Sequence, residues 1–255
     1  GGSLSFTEVG GSLDVQEPSD GGISVWGDLD NDGDLDMLAG DPSNQWWVLH
    51  LNQLVETGSV GFTGVNSAVG LSPGDHQSAL LFFDMENDGD LDIFSGINGS
   101  GSNRLFRNDL SGGKWLDLKL VGVDSNRDGI GARITLVAGG RTQYRQHTVY
   151  NSINSGTLSS RIHFGLDSAT TVDQLTIDWP SGQTQTLRNI ASNQVLEVTE
   201  TAKTLWTWGE GDGPGTNTNT PTQEPSGSNT WSSIAAGSYY TVALKSDGTL
   251  WAWGS

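Results

Sequence analysis

Two acidic segments of the chain combine the residue types and the spacing of a cation-binding loop. The first, from Asp28 to Asp36, reads DLDNDGDLD, and the second, DMENDGDLD, begins at Asp84. Carboxylates at alternate positions point to one side when such a loop curls, and the central glycine permits the sharp turn. Because Ca²⁺ prefers about six to eight oxygen ligands, we interpret both segments as calcium-binding loops. The alternative is a pair of solvated acidic turns.

The expected ligands occupy the same positions in both loops. In the first loop, the backbone carbonyl of Asp34 joins the side chains of Asp28, Asp30, Asp32 and Asp36. In the second loop, the carbonyl of Asp90 joins the side chains of Asp84, Glu86, Asp88 and Asp92. Since Glu86 is one methylene longer than aspartate, we expect the second loop to bind calcium less tightly than the first.

Predicted strands, rather than helices, flank both loops. ISVW and LDMLAG surround the first loop, and ALLFF and LDIFSG surround the second. An EF-hand requires flanking helices and a glutamate at loop position 12, where this chain has Ala39 and Ser95. The loops and the FTEVG and FTGVNSAVG segments before them share one period, because 84 − 28 = 56 and 62 − 6 = 56. A duplicated unit of this size is typical of a β-propeller blade.

The distribution of charge limits the classes of partner. Of the 30 acidic residues, 17 lie in residues 1–100, which contain no lysine or arginine, so the remainder holds 30 − 17 = 13 acids beside 12 bases. Such an acidic surface does not favour nucleic acid as a partner.

No segment has the length of a membrane span. The absence of cysteine fits an extracellular protein and is also compatible with the cytosol, and we expect a secreted or cell-surface piece of a longer precursor.

The remaining chain gives two further all-β regions. We predict a β-sandwich over residues 113–202 from seven strand-like segments, KWLDLKLVG, ARITLVA, RTQYRQHTVY, TLSSRIHFG, VDQLTIDW, QTQTLRN and QVLEVTE. In the first of these, Leu116, Leu118 and Leu120 alternate with polar residues. Over residues 203–255, TLWTWGEG and TLWAWGS recur with a period of 249 − 204 = 45, and the second copy is incomplete.

Three family resemblances rest on these motifs. Residues 1–112 resemble two FG-GAP/VCBS repeats, which implies calcium-carrying, propeller-blade-like units. SNRDGIGARI, IHFGL and IDWPSG resemble the ASPIC/UnbV domain, which follows FG-GAP repeats in proteins of the cartilage acidic protein type. WTWG and SYYTVALKSDGTLWAWG resemble a regulator-of-chromosome-condensation repeat. Two blades and an incomplete tail repeat cannot close a propeller of about four to eight blades, so we expect open strand edges.

Other constellations carry weaker signals. Ser72 in GLSPG lacks the helix that a nucleophile elbow needs, and the four histidines have no metal-ligand spacing, so we predict no catalytic residues and no enzyme activity. DSNRDG resembles half a calcium loop, which leaves a third site open. The arginines of the middle region either balance surface charge or dock against the acidic loops. The residues concerned are Asp124, Asn126 and Asp128 for the third site, and Arg104, Arg107, Arg127, Arg133, Arg141, Arg145 and Arg161 for the arginines.

Together these patterns favour an extracellular, calcium-binding adhesive or structural protein, as a subunit of a surface or filamentous assembly. The expected partners are other proteins or further copies of the chain at open strand edges, and also glycans; we expect no nucleic acid and no membrane insertion. The alternative is a non-catalytic scaffold or carbohydrate-binding part of a polysaccharide-processing enzyme. An aromatic platform at Trp46 and Trp47 would favour this alternative.

Overall fold

The computed structural model consists almost entirely of β-strands. It describes residues 7, 9–12, 23–41, 46–65, 77–97, 102–110, 112–148, 155–157, 161–202, 206–209, 218–223, 231–236, 240–245 and 250–254. Within these ranges, twenty strands form six sheets, none of which closes into a barrel. The helices there are a 3₁₀ turn at Gly10–Ser12 and the four-residue α1 at Leu54–Thr57. The predicted all-β class is therefore confirmed at this level. None of the described helices has the length and apolar character that a membrane crossing requires.

The 56-residue repeat of the sequence is also a repeat of structure. The first sheet has the order β1 (Ile23–Gly27), β2 (Asp36–Asp41), β3 (Trp46–Asn52) and β4 (Phe62–Gly64), all antiparallel. The second sheet has the order β11 (Ser155–Thr157), β5 (Gln77–Phe83), β6 (Asp92–Ile97) and β7 (Arg104–Phe106). The bounds of β2 and β6 differ by 56 at both ends, since 92 − 36 = 56 and 97 − 41 = 56.

Each acidic loop connects the first two strands of its repeat. Gly27 pairs with Asp36 across the first loop, and Phe83 pairs with Asp92 across the second. A shared apolar cluster lies behind these strands, because their alternate side chains point to one side. Its buried members are Val25, Leu29, Leu38, Trp47, Leu49, Leu80, Phe82, Leu91 and Ile93. The loops are therefore held between paired strands and cannot spread their charges freely.

All seven strands predicted in the middle region are present. They are β8 (Lys114–Val121), β9 (Arg133–Ala138), β10 (Arg141–Gln146), β12 (Arg161–Asp167), β13 (Thr171–Asp178), β14 (Thr184–Ala191) and β15 (Gln194–Thr199). They form sheets of order β10-β9-β13-β14 and β12-β8-β15. The predicted apolar alternation is confirmed in β8, where Leu116, Leu118 and Leu120 are buried. Buried Ile134 and Leu136 show the same alternation in β9.

The tail forms two small antiparallel sheets. β16 (Trp206–Gly209) pairs with β17 (Thr218–Gln223). β18 (Trp231–Ala236), β19 (Tyr240–Lys245) and β20 (Leu250–Gly254) form a three-stranded meander. Leu250 is 69% exposed and Trp251 is 43% exposed on this meander.

The chain divides into two compact units that interleave along the sequence. The first consists of residues 1–119, 133–177 and 186–197, and the second of residues 120–132, 178–185 and 198–255. This division differs from the three consecutive domains predicted at 1–112, 113–202 and 203–255, because residues from the acidic repeats and from most of the middle strands belong to one unit. The predicted boundaries remain a sequence-based prediction.

Glu200 is the centre of a hydrogen-bond network in the second unit. Its side chain is 2% exposed, and Oε2 accepts the backbone N–H groups of Val123, Asp124 and Ser125 at 2.7–2.9 Å. Oε1 accepts the hydroxyl groups of Ser125 and Ser181. Burial acts to raise the pKa of Glu200, but these hydrogen bonds outweigh burial and hold the pKa below its usual value. The ionised carboxylate therefore stabilises the turn after β8.

We expect Glu200→Gln to lower the free energy of unfolding at pH 7 by about 2–3 kcal/mol, because hydrogen bonds to a charged acceptor are lost. The pKa of Glu200 is lower in the folded state than in the unfolded state. Its contribution to the free energy of unfolding is therefore fully present above the unfolded-state pKa of about 4.3, and it is lost as the pH falls through the folded-state pKa. Urea unfolding of both proteins at pH 7 and pH 3 should show the difference shrinking in acid. Glu197→Gln, at an exposed salt bridge to Lys119, is the control. A difference that stays constant between the two pH values would contradict this role.

Candidate metal centre

Both acidic loops curl through the same backbone geometry. Asn31 and Asn87 have φ of 61°, and Gly33 and Gly89 have φ of 106° and 91°. This left-handed conformation is one that asparagine and glycine adopt most readily. In the first loop, Gly33 N donates to Asp28 Oδ2 at 3.0 Å. The corresponding bond in the second loop, from Gly89 N to an Asp84 oxygen, is 3.1 Å long.

The last aspartate of each loop fixes the loop to a backbone N–H group 16 residues further along the chain. Asp36 Oδ2 accepts Leu29 N at 2.8 Å, and Asp36 Oδ1 accepts Asn52 N at 2.9 Å. Asp92 is held in the same way by the backbone N–H groups of Met85 and Asn108, each at 2.8 Å. The sequence analysis did not single out these two asparagines. Their separation, 108 − 52 = 56, was the available signal.

The two loops differ in how completely their carboxylates are satisfied. Four oxygens of the first loop are buried without a hydrogen-bond partner, and they are Asp28 Oδ1, Asp30 Oδ1, Asp32 Oδ2 and Asp34 Oδ1. The side chains of Asp28 and Asp34 are only 1% and 8% exposed. Among the described residues, no carboxylate oxygen of the second loop is in this condition. A buried carboxylate oxygen without a partner is costly unless a proton or a cation satisfies it.

Oxygens of the first loop lie close enough together to share an ion. Asp28, Asp30 and Asp36 each place an oxygen within 4.8 Å of the other two. Ca²⁺–O distances of about 2.3–2.6 Å allow ligands on opposite sides of one ion to be roughly 5 Å apart. Asp30 and Asp32 form a second such group with Glu56, which the sequence analysis missed. Asp34 contributes a buried side-chain oxygen in addition to the carbonyl expected from the sequence.

Strand β12 covers the first loop. Gly165 N donates to Asp28 Oδ2 at 2.9 Å, and Asp167 N donates to Asn31 O at 2.7 Å. Gly165 has to be a glycine, because a Cβ at this position would lie 2.3 Å from Asp28 Oδ2 and 2.5 Å from backbone atoms of Asn31. From the neighbouring sheet, Arg141 Nη1 donates to Asp32 O at 3.0 Å. The middle region therefore shields Asp28 and Asn31, which are 1% and 0% exposed, from water.

His163 connects this cover to both loops. Its Nε2 lies 2.8 Å from Asn31 Oδ1, and its Nδ1 lies 2.9 Å from Asp117 Oδ1. Asn31 Nδ2 donates in turn to Gly89 O and to Asp90 Oδ1 in the second loop, at 3.1 and 3.0 Å. Asp117 lies on the polar side of the β8 alternation but is only 3% exposed, because His163 and Arg161 cover it.

Burial and mutual repulsion raise the pKa values of several loop carboxylates, Asp30, Asp32, Asp36 and Asp90 among them. Burial, reinforced by the charge of Asp30, raises the pKa of Asp36 to about 9. Burial is also the main cause that raises the pKa of Asp32 to about 8 and that of Asp30 to about 6. In the second loop, burial and the charge of Asp88 raise the pKa of Asp90 to about 6. Without a cation, the first loop therefore retains protons near neutral pH.

The predicted ligands of the second loop are arranged more openly. Asp84, Glu86, Asp88 and Asp92 do not form a three-carboxylate group with the spacing found in the first loop, as far as the described residues show. Glu86 Oε1 instead faces Arg107 Nε at 3.8 Å. The second loop remains a predicted cation site, with weaker structural support than the first.

The middle-region arginines and the residues of the possible third site have several different contacts. Arg161 Nη1 donates to Asn87 Oδ1 at 2.7 Å, so Arg161, like Arg141, docks against an acidic loop of its own chain. At the weaker third site, Asp124 accepts a hydrogen bond from Gln183, and the side chain of Asn126 both donates to and accepts from the backbone of Ile130. Asp128 pairs with Arg127.

Trp47 does not provide the aromatic platform considered for glycan binding. It is 0% exposed and packs against Phe106, with ring centroids 5.3 Å apart. The side chain of Trp46 lies outside the described residues. So do Ser72 and His76, and so does Asn98, which begins the tripeptide NGS, a pattern that can accept an N-linked glycan.

Two stretches of the chain match known families. Residues 122–205 match the family model described as ASPIC and UnbV. Residues 231–255 match the model described as Regulator of chromosome condensation (RCC1) repeat. Both resemblances predicted from the motifs are thus confirmed. The first match begins nine residues after the start of the predicted 113–202 and extends three residues beyond its end, and the second covers the last part of the predicted 203–255. The acidic repeats lie outside both matched stretches. No curated protein matches the chain.

We expect Gly165→Ala to destabilise the protein by about 1–3 kcal/mol, the usual cost of an inserted methyl group that forces its neighbours apart. The added Cβ would separate β12 from Asp28 and Asn31. Thermal unfolding monitored by circular dichroism measures the effect. Gly61→Ala is the matched control, because a Cβ at Gly61 meets no atom within 4 Å. Equal melting temperatures for the two variants would argue against close packing at Gly165.

A second prediction concerns the pH dependence of the protein in a chelator. The folded-state pKa values of Asp30, Asp32 and Asp36 lie above the unfolded value of about 3.9, so the folded state binds more protons than the unfolded state. Stability should therefore fall as the pH rises from 5.5 to 8. Urea unfolding at several pH values tests this slope, and Asp36→Asn should reduce it. An increase in stability over this range would contradict the assigned burial.

Proposed function

We propose that the first acidic loop binds Ca²⁺ and that the ion joins the acidic repeats to strand β12. The observation that supports this most strongly is the set of four buried carboxylate oxygens without hydrogen-bond partners. Asp28 is the central case, because Oδ2 accepts N–H groups from Gly33 and Gly165 while Oδ1 has no partner. A divalent oxygen-seeking cation satisfies such oxygens and offsets their repulsion.

The proposed ion has a structural role. The carboxylates that would bind it are held by backbone N–H groups at Gly33, Leu29 and Asn52. These bonds fix the oxygens before the ion arrives, and the cover by Gly165 keeps water away from Asp28. Such a closed, preorganised site suits an ion that stabilises the fold. We therefore propose a non-catalytic role for the loop.

We also propose the second acidic loop as a weaker calcium site. Both oxygens of Asp84 accept backbone N–H groups, at 3.1 Å each. The side chains of Met85, Glu86, Asn87 and Asp88 are exposed. Arg107 lies near Glu86 and already offsets part of its charge. We therefore expect an ion to bind less tightly at the second loop than at the first.

Together with the FG-GAP/VCBS-like motifs, calcium binding favours an extracellular adhesive or structural protein. Extracellular calcium modules commonly have dissociation constants of about 10⁻⁴–10⁻³ M. We propose that protein partners, or further copies of this chain, bind at the tail meander of β18, β19 and β20, which exposes Ile234, Leu250 and Trp251. The edge strands β4 and β7 have only three residues each, which limits strand pairing there.

Calorimetric titration of the metal-stripped protein, with melting curves in calcium and in chelator, tests the proposal. A site at a hundredfold excess of calcium over its Kd stabilises the fold by about 2.7 kcal/mol. We expect Asp28→Asn to abolish the tighter binding and most of the calcium-dependent rise in melting temperature. Asp84→Asn, the matched change 56 residues later, should remove only weaker binding. Coincident melting curves and no heat of binding in the unsubstituted protein would refute calcium binding.

A further inference from the structure

Two groups of carboxylates in the first loop share a single residue. Asp28, Asp30 and Asp36 form the inner group, and Asp30, Asp32 and Glu56 form the outer group. Within each group, the oxygens lie within 4.8 Å of one another. The inner group is largely buried, whereas Glu56 is exposed. Asp30 is thus positioned between two clusters of oxygen ligands.

The two groups do not merge into one cluster of four or more oxygens among the described residues. With Ca²⁺–O distances of about 2.3–2.6 Å, ligands on opposite sides of one ion lie roughly 5 Å apart. The oxygens of each group of three lie within 4.8 Å of one another, but in the part of the chain that the structure describes no group of four or more carboxylates does so. The geometry therefore provides two adjacent positions for cations, with the Asp30 carboxylate between them.

Helix α1 holds Glu56 over the loop through several hydrogen bonds. Val55 N donates to Asp34 Oδ2 at 3.0 Å, and Leu54 N donates to Asn52 Oδ1 at 3.2 Å. Asn52 N is in turn bonded to Asp36 Oδ1. The short helix is thus attached to two carboxylates of the loop, so the position of Glu56 beside Asp30 and Asp32 follows from the fold.

The partnerless oxygens extend across both groups. Asp28 Oδ1 belongs to a side chain of the inner group that is 1% exposed. Asp30 Oδ1 and Asp32 Oδ2, from the residues of the outer group, are also buried without partners. With Asp34 and Asp36, the loop and Glu56 carry six carboxylates, a formal charge of −6. One divalent ion leaves −6 + 2 = −4, and a second leaves −4 + 2 = −2.

The second repeat has no counterpart of the outer group. The position that corresponds to Glu56 is 56 + 56 = 112, where the chain has Gly112. Gly112 is exposed, and a Cβ there would meet no atom within 4 Å. The outer group is therefore a property of the first loop and not of the repeated unit.

We propose that the first loop binds two divalent cations that share the carboxylate of Asp30. The inner ion is held by Asp28, Asp30 and Asp36, and the outer ion by Asp30, Asp32 and Glu56. Water completes the coordination of the outer ion, because Glu56 lies at the surface. This inference rests on the proposed calcium binding and adds a ligand, Glu56, and a second ion to it. In proteins with two-metal sites, the ions lie about 3.5–4 Å apart.

Ion counting and electron paramagnetic resonance test this proposal. The full chain, stripped of metal, is titrated with Ca²⁺ and the bound ions are counted by native mass spectrometry. Mn²⁺ then replaces Ca²⁺ for resonance spectroscopy. Glu56→Gln should bind one ion fewer than the unsubstituted chain. It should also convert the broadened signal of two coupled Mn²⁺ ions into the six-line signal of isolated ions. The exposed Glu197→Gln is the matched control and should change neither result.

The outcomes separate this inference from the proposed function. If the unsubstituted chain binds no Ca²⁺ and no Mn²⁺, both the proposed function and the outer ion are wrong. If it binds ions but Glu56→Gln binds the same number, the outer ion alone is refuted. A fully loaded, unsubstituted chain that shows only isolated-ion signals, with no signal from a coupled pair of Mn²⁺ ions, refutes it as well.

Discussion

The inward-facing carboxylates of the first loop repel one another, and the surrounding structure must hold them together against this repulsion. Like charges about 4 Å apart repel by roughly 4 kcal/mol at an effective dielectric near 20, and burial strengthens the effect. The loop cannot relieve this by spreading, because Gly27 and Asp36 are paired at its base. It also cannot turn Asp28 toward water, because Gly165 is bonded to it. Protons or cations are the means of relief that remain.

The cover over this loop explains why two copies of one motif have different environments. Both loops share backbone conformation, internal hydrogen bonds and the closing aspartate. Strand β12 places Gly165 directly on Asp28, whereas the second loop receives the Arg161 side chain at Asn87. Contact with backbone excludes water more completely than contact with a long side chain that is 30% exposed. The first loop therefore carries the buried, partnerless oxygens.

His163 ties the acidic repeats and the middle strands into one compact unit. Both of its ring nitrogens face oxygen atoms, one on Asp117 and one on Asn31. Asn31 extends this chain of hydrogen bonds into the second loop at Gly89 and Asp90. The predicted domain boundary at residue 112 lies between groups that are in direct contact in the fold, and the first compact unit contains residues from both sides of it.

The sequence by itself determined the all-β class, the 56-residue duplication, the seven middle strands and the positions of the two acidic loops, because these depend on local spacing, turn residues and alternation. It also indicated the two family resemblances that the comparisons confirm. It could not identify Glu56 as a neighbour of Asp30, since a short helix brings them together across 56 − 30 = 26 residues. Nor could it assign Gly165 or His163 to the loop, or foresee that Asp117 and Trp47 are buried. Those contacts were decided by tertiary structure, because burial and hydrogen-bond partners depend on which distant strand covers a residue.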